Sequence, residues 1–245
     1  MSGAFRTPAK VDAVASRTLG VLRALERSGL LLKQDKRLPS VVTLLAGEPL
    51  ASSWWSHPES RLMFRVLSAL ADHPDVLVAK LLLAKDTFVH RTLWPAFLAV
   101  ATAREPWQVA GLPAPAGRLL EGTDNTPAAV RSAGAATREL VARLLVHATE
   151  VHTAQGHHET AVQSWSAWRA QAAVVPLGSV DDARRVLEEA SRRLGASPDA
   201  LPWLRSKRSV ASMSRVVRSA RQSAGTPRSA GTPRSGSARR SGAKR

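Results

Sequence analysis

Val11, Val14, Leu19, Leu22 and Leu25 recur at helical spacing through residues 8–28, and Gly29 stands where a left-handed residue commonly ends a helix. The pattern predicts a first helix. Leu30-Leu31-Leu32 reads as a short strand, and Leu38-Pro39-Ser40 introduces VVTLLAG, a helix with Ser40 as N-cap and Gly47 as its stop. Pro58 followed by RLMFRVLSAL predicts a helix with proline in its first turn, closed by Asp72-His73-Pro74. VLVAKLLL and TFVH are rich in strand formers, and Ala84-Lys85-Asp86 between them suits a hairpin. Leu93 to Ala103 returns to helical character until Glu105-Pro106 breaks it. Residues 1–110 are therefore expected to be a helix-rich domain, for which a winged-helix-like arrangement is one option.

In the second half, Pro113 to Leu120 has helical character. Thr126-Pro127 then offers a cap and a first-turn proline for a short AAVR helical turn ending near Gly134. AATRELVARLL from Ala135 is a stronger helix, with Leu140 and Leu144 on one face. VHATEVHT and HHETAVQSW are extended in character on either side of Ala154-Gln155-Gly156. Helix, short helix, helix and hairpin is the order of a winged helix, whose third helix enters a DNA groove, so residues 111–170 are expected to form such a domain. One long helix from Ala135 through Ala154 is the competing reading, since Val151 continues the Leu140 and Leu144 stripe. Gly156 takes a turn at positive φ in the first case and caps a helix in the second. Ser179 caps VDDARRVLEEASRRLG, with acids early and arginines late as the helix dipole prefers, and residues 171–204 read as linker and helical appendage.

Charge divides the chain more sharply than hydropathy does. Residues 205–245 hold 12 of the 35 Lys and Arg and none of the 19 Asp and Glu, leaving 23 basic against 19 acidic residues in the first 204 positions. The body is near neutral and the net charge of +16 resides mainly in the tail. This segment contains the tandem SAGTPR repeat at 223–228 and 229–234; Gly, Ser, Pro and Arg without large apolar residues predict disorder. With no cysteine, disulfide frameworks, Cys-based zinc sites and thiol nucleophiles are excluded. No Tyr and only four Phe leave a core of Leu, Val and Ala with seven Trp, which favours helices. VLVAKLLLA is too short to span a bilayer and contains Lys80, and MSGAFRTPAK lacks the apolar segment of a signal peptide. The expected fold class is α+β, predominantly helical, with winged-helix character and a disordered basic tail. The expected location is cytoplasmic, with the nucleoid.

The segments GLLLKQDKRLPSVVTLLAGEP, SWWSHP, KLLLAKDTFVHRTLWPAFLAV and LVARLLVHATEVHTAQGHHETAVQSWSAW together resemble bacterial winged-helix proteins related to the AlkZ-type DNA glycosylases. The resemblance spans roughly residues 10–170 and includes Pro39, Lys80, Phe88, Pro95 and Trp165. It implies winged-helix modules around DNA. Active members carry a Gln, one apolar residue, then Gln or Asp; this chain has Gln34-Asp35 without the spacer, so base excision is not expected and the pair reads as a polar turn after a strand.

The remaining chemistry is sparse. His147, His152, His157 and His158 lie near Glu150 and Glu159 but lack the His-Glu-x-x-His spacing of a helical zinc site, and wing histidines near phosphate are the favoured reading. A metal held by His152 and His157 across a hairpin is the lesser one. Neither a nucleophile elbow nor a Gly-rich phosphate loop is present, so no enzyme and no cofactor are expected. The tryptophans are expected in the core and at domain junctions more than as base-stacking platforms. Projection of Ala135 to Leu145 turns Arg138 outward and Arg143 to the flank, among Ala and Glu poorly suited to reading bases. The expected partner is nucleic acid, foremost double-stranded DNA, and no membrane. The candidate contacts are Arg131, Arg138, Arg143, His157 and His158 in the body, with Arg215, Arg218, Arg221, Arg228, Arg234, Arg239, Arg240 and Lys244 in the tail. The alternatives are a glycosylase-like enzyme with a pocket at Gln34 and Asp35, and a protein–protein adaptor using the Ala-rich face of 135–145.

Overall fold

The computed structural model describes residues 8–152 and 158–205, with side chains from 13 to 151 and 159 to 205. The chain is mixed α and β, with helices predominating over two small antiparallel sheets. No helix among the described residues is long and apolar enough to cross a membrane.

The first half runs α1 (Pro8–Ser28), β1 (Leu30–Leu32), α2 (Val41–Ala46), α3 (Ser60–Ala71), β2 (Val76–Ala79) and β3 (Thr87–His90). Ser40 caps α2 by accepting from Thr43 N at 3.1 Å, and Gly47 ends it at φ 84°. In α3, Met63, Val66, Leu67 and Leu70 form one buried stripe. Pro58 precedes this helix instead of lying in its first turn. The sheet order is β1-β3-β2, with Leu31 opposite Phe88 and Val78 opposite Phe88 on its other side. The hairpin is present, but β2 stops at Ala79 and not within LLL. Leu81 and Leu82 leave the ladder to enter the core, while Leu83 and Ala84 take left-handed φ values of 55° and 56°. Such values are costly for residues with a Cβ, and they turn Leu83 N onto Ala200 O at 2.8 Å.

The central element is α4 (Trp94–Ala101), buried at Trp94 and from Ala96 through Ala101. A helix apolar on every side must be enclosed on every side. The enclosure comes from α8 (Trp165–Ala172) and α9 (Val180–Arg193) as well as from the N-terminal elements. Trp168 meets Trp94 edge-on at 5.1 Å and Trp165 meets Phe97 at 4.8 Å. Ala183, Leu187 and Ala190 of α9, with Leu201 and Trp203 beyond it, belong to the same core as α1, α3 and the first sheet. Within residues 171–204, expected as linker and helical appendage, α9 and Trp203 thus belong to the main core, and α4 would otherwise expose one flank.

The second sheet has its own smaller core of Ala116, Leu120, Leu140, Leu145, Val146 and Val162. It is built from α5 (Pro106–Val109), α6 (Ala114–Asp124), β4 (Val130–Arg131), α7 (Ala135–Ala142), β5 (Val146–His152) and β6 (His158–Ser164), in the order β4-β6-β5. The expected AAVR helical turn is instead strand β4: Val130 pairs with Val162 and Arg131 with Ala161, giving the outer edge of β6 a partner. α7 ends at Ala142, short of Leu145, because Leu144 turns to φ 54° and sends the chain into β5. The hairpin between β5 and β6 is present and the single helix to Ala154 is not. Its turn, with Gly156, lies outside the described residues.

The placement of α9 in the main core generates a stability prediction. Leu187→Ala is expected to cost about 2–5 kcal/mol in urea unfolding, whereas Val186→Ala, on the half-exposed side of the same helix, is expected to cost under about 1 kcal/mol.

Candidate nucleic-acid interface

The arginines expected to contact DNA from the second half differ in their freedom. Arg143 Nε and Nη2 lie 2.7 and 2.6 Å from Glu139 Oε1, and its Nη1 donates to the carbonyls of Gln108 at 3.1 Å and Ala110 at 2.7 Å. That guanidinium ties α7 to α5. Gln108 is fully buried beneath it and donates to Ala101 O and Arg143 O at 3.2 and 3.3 Å. Arg131 pairs with Glu159 at 3.0 Å across the β4–β6 edge. Arg138 alone of the three is exposed without an ion pair among the described residues. It lines a shallow cavity of about 490 Å³ with Lys80, Thr137 and Thr160. His157 and the side chain of His158 lie outside the described residues, as do Arg215, Arg218, Arg221, Arg228, Arg234, Arg239, Arg240 and Lys244.

The side chain of His152 lies outside the described residues as well, and so does the His152–His157 pair expected as the lesser metal reading. His152 and His158 are register partners across β5 and β6. His147 is buried against Trp165 and Trp168 at 5.2 and 5.8 Å, with Nδ1 at 3.3 Å from Gln163 Nε2. Burial lowers its pKa from 6.5 to about 4, so the ring is neutral at pH 7. Among the described residues no three His, Asp or Glu side chains converge as a metal site.

Gln34 and Asp35 form a braced turn beside an open cleft of about 780 Å³. Gln34 Nε2 donates to Ser52 O at 2.9 Å. Asp35, only 7% exposed, accepts from Arg37 N at 2.8 Å, Leu38 N at 3.0 Å and Lys85 Nζ at 2.6 Å. Burial alone would raise the carboxyl pKa; the Lys85 hydrogen bond and the two backbone donors outweigh it and hold the pKa below its ordinary value. A carboxylate so engaged organises the loop, and the polar-turn reading describes its geometry.

Less expected is the outer face of α3. Arg61, Phe64 and Arg65 are exposed opposite the Met63–Leu70 stripe, and neither arginine forms an ion pair among the described residues. Spacing by three and four residues opposite a buried stripe is a signal the sequence contains. Beside Phe64 lies Trp55, exposed on buried Trp54. The other five tryptophans are wholly or partly buried in the main core or packed against it. Four of these have indole N–H partners: Val89 O for Trp94, Glu105 for Trp107, Leu144 O for Trp165 and Glu188 for Trp203. No protein-family model matches the chain, and neither a curated protein nor a solved structure is significantly similar to it.

His147 gives the fold a pH dependence of known sign. Its folded pKa is depressed, so its contribution to stability is complete above 6.5 and is lost as pH falls toward about 4, where only the unfolded chain first takes up the proton. Wild type is expected to lose about 2 kcal/mol between pH 7 and pH 5 through this residue. Urea midpoints of His147→Gln should lack that component.

Proposed function

We propose that the protein binds double-stranded DNA without catalysing a reaction on it, through a winged-helix module in residues 8–90 and the cationic C-terminal segment. The observation that carries this reading is the order α1-β1-α2-α3-β2-β3 with sheet order β1-β3-β2, which leaves Arg61 and Arg65 on the open face of α3. In a winged helix this third helix is the one that approaches the groove and the hairpin after it is the wing. The face was expected on α7; its arginine Arg143 is consumed by internal contacts, which favours α3. The second half, with β4-β6-β5 and one fewer helix between its first two strands, serves as a related platform fixed to the first.

Arg61 and Arg65 supply the phosphate contacts that orient the body, and Arg138 adds a weaker one. The segment after Ser206 carries 11 Lys and Arg and no acid, which supplies nonspecific affinity by counterion release. The engagement of Asp35 by three donors supports a structural role for Gln34-Asp35 over base excision. The location implied is the nucleoid.

Titration of a DNA duplex at several salt concentrations tests this directly. Deleting residues 207–245 is expected to weaken binding strongly and flatten the log–log salt dependence by roughly 0.9 for each phosphate that is no longer neutralised. Arg61→Ala with Arg65→Ala in the full chain is expected to remove a further, smaller part. An unchanged slope in the deletion would overturn the role given to the tail, and full retention of affinity in the double variant would overturn the role given to α3.

A further inference from the structure

Trp55 is 62% exposed and Phe64 44% exposed, a large aromatic area for one loop and one helix turn to leave in water. The rings are held in place. Trp55 stacks on Trp54 with centroids 4.0 Å apart and planes 26° apart, and Phe64 lies 5.8 Å from Trp55. Trp54 is anchored in the main core. The loop beneath is pinned by Gln34 on Ser52 O at 2.9 Å and by Ser56 Oγ on Ser53 O at 2.7 Å. An exposed indole fixed in this way is pre-organised, so little ordering cost attends a ligand that covers it.

The charges beside it select among occupants. From Ala51 to Ala71 the chain carries Arg61 and Arg65 against one acid, Glu59. A symmetric contact with a second copy would bring these arginines toward their own images, which like charges oppose. A nucleotide offers both complementary groups at once, a flat base for the indole and a phosphate for the guanidinium. In a paired duplex the base faces are stacked on their neighbours and unreachable, so the occupant must be unpaired.

We propose that Trp55 and Phe64 form a stacking platform for an unpaired base, with Arg61 and Arg65 engaging the adjoining phosphates. The inference rests on the DNA-binding reading above and extends it to DNA whose strands are locally open.

The test compares a blunt duplex with the same duplex carrying a run of unpaired thymines, using the full chain at one salt concentration. Wild type is expected to bind the thymine-bearing duplex at least about fivefold more tightly. Trp55→Ala should abolish that preference while holding blunt-duplex affinity within about twofold, and an unchanged urea unfolding midpoint shows that the variant is folded. Trp55→Phe should retain most of the preference. A preference that survives in Trp55→Ala, or is missing in wild type, overturns the platform and leaves duplex binding standing. Equal weakening on both probes overturns it too, as does a wild-type dimer in sedimentation that Trp55→Ala dissolves. Failure of wild type to bind either probe overturns the DNA-binding reading itself.

Discussion

The fold depends on one requirement: α4 is apolar around its whole circumference and so must be enclosed from every direction. The first sheet and α1 to α3 cannot do this alone, and the chain returns more than 60 residues later to finish the task with α8, α9 and Trp203. Trp165 and Trp168 meet Phe97 and Trp94 edge-on, and Leu177 N reaches Pro95 O at 3.0 Å. Ends of the body that are far apart in sequence are thereby joined in one hydrophobic cluster. The consequence for function is geometric. With its inner stripe committed to this core, α3 has its opposite side free, and the exposed arginines there are carried on a rigid base.

The same economy decides which cations remain available. Arg184 is drawn inward to Glu105, whose carboxylate also accepts from Trp107 Nε1 at 2.9 Å. Arg104 Nη2 donates to both carboxylate oxygens of Asp124, at 2.6 and 2.7 Å. Lys80 and Lys33 share Asp86, and Lys85 is held by Asp35. Charge-assisted bonds of this kind fix loops and helix ends, and a guanidinium or ammonium committed to one is less free for phosphate. The body is therefore near neutral in sum yet uneven in its accessible charge, and α3 is one place where that charge is positive and free of ion pairs.

Much of the local structure was legible in the sequence. The Ser40 cap, the Gly47 stop, the helix after Pro58 and the hairpin between β5 and β6 all follow from spacing and turn chemistry. Four features were not. Strand β4 has two residues, and its existence depends on the unpaired edge of β6 and not on the AAVR segment itself. Leu83, Ala84 and Leu144 adopt left-handed conformations that their side chains disfavour and only tertiary contacts enforce. The core role of α9 is invisible in its own amphipathic pattern, which says that one face is buried but not against what. The polar contacts that occupy Arg143 and Asp35 reach Ala110 and Lys85, 33 and 50 positions away, beyond the range of a local motif. The candidate face on α3 was present as spacing, and became conspicuous only when its neighbours proved to be engaged elsewhere.

Amide hydrogen exchange of the full chain with and without duplex DNA distinguishes most directly between the proposed contact through α3 and one through α7. The expected result is slowed exchange across the first two turns of α3, with Ala135–Ala142 unchanged. Protection of Ala135–Ala142 with α3 unaffected would contradict it.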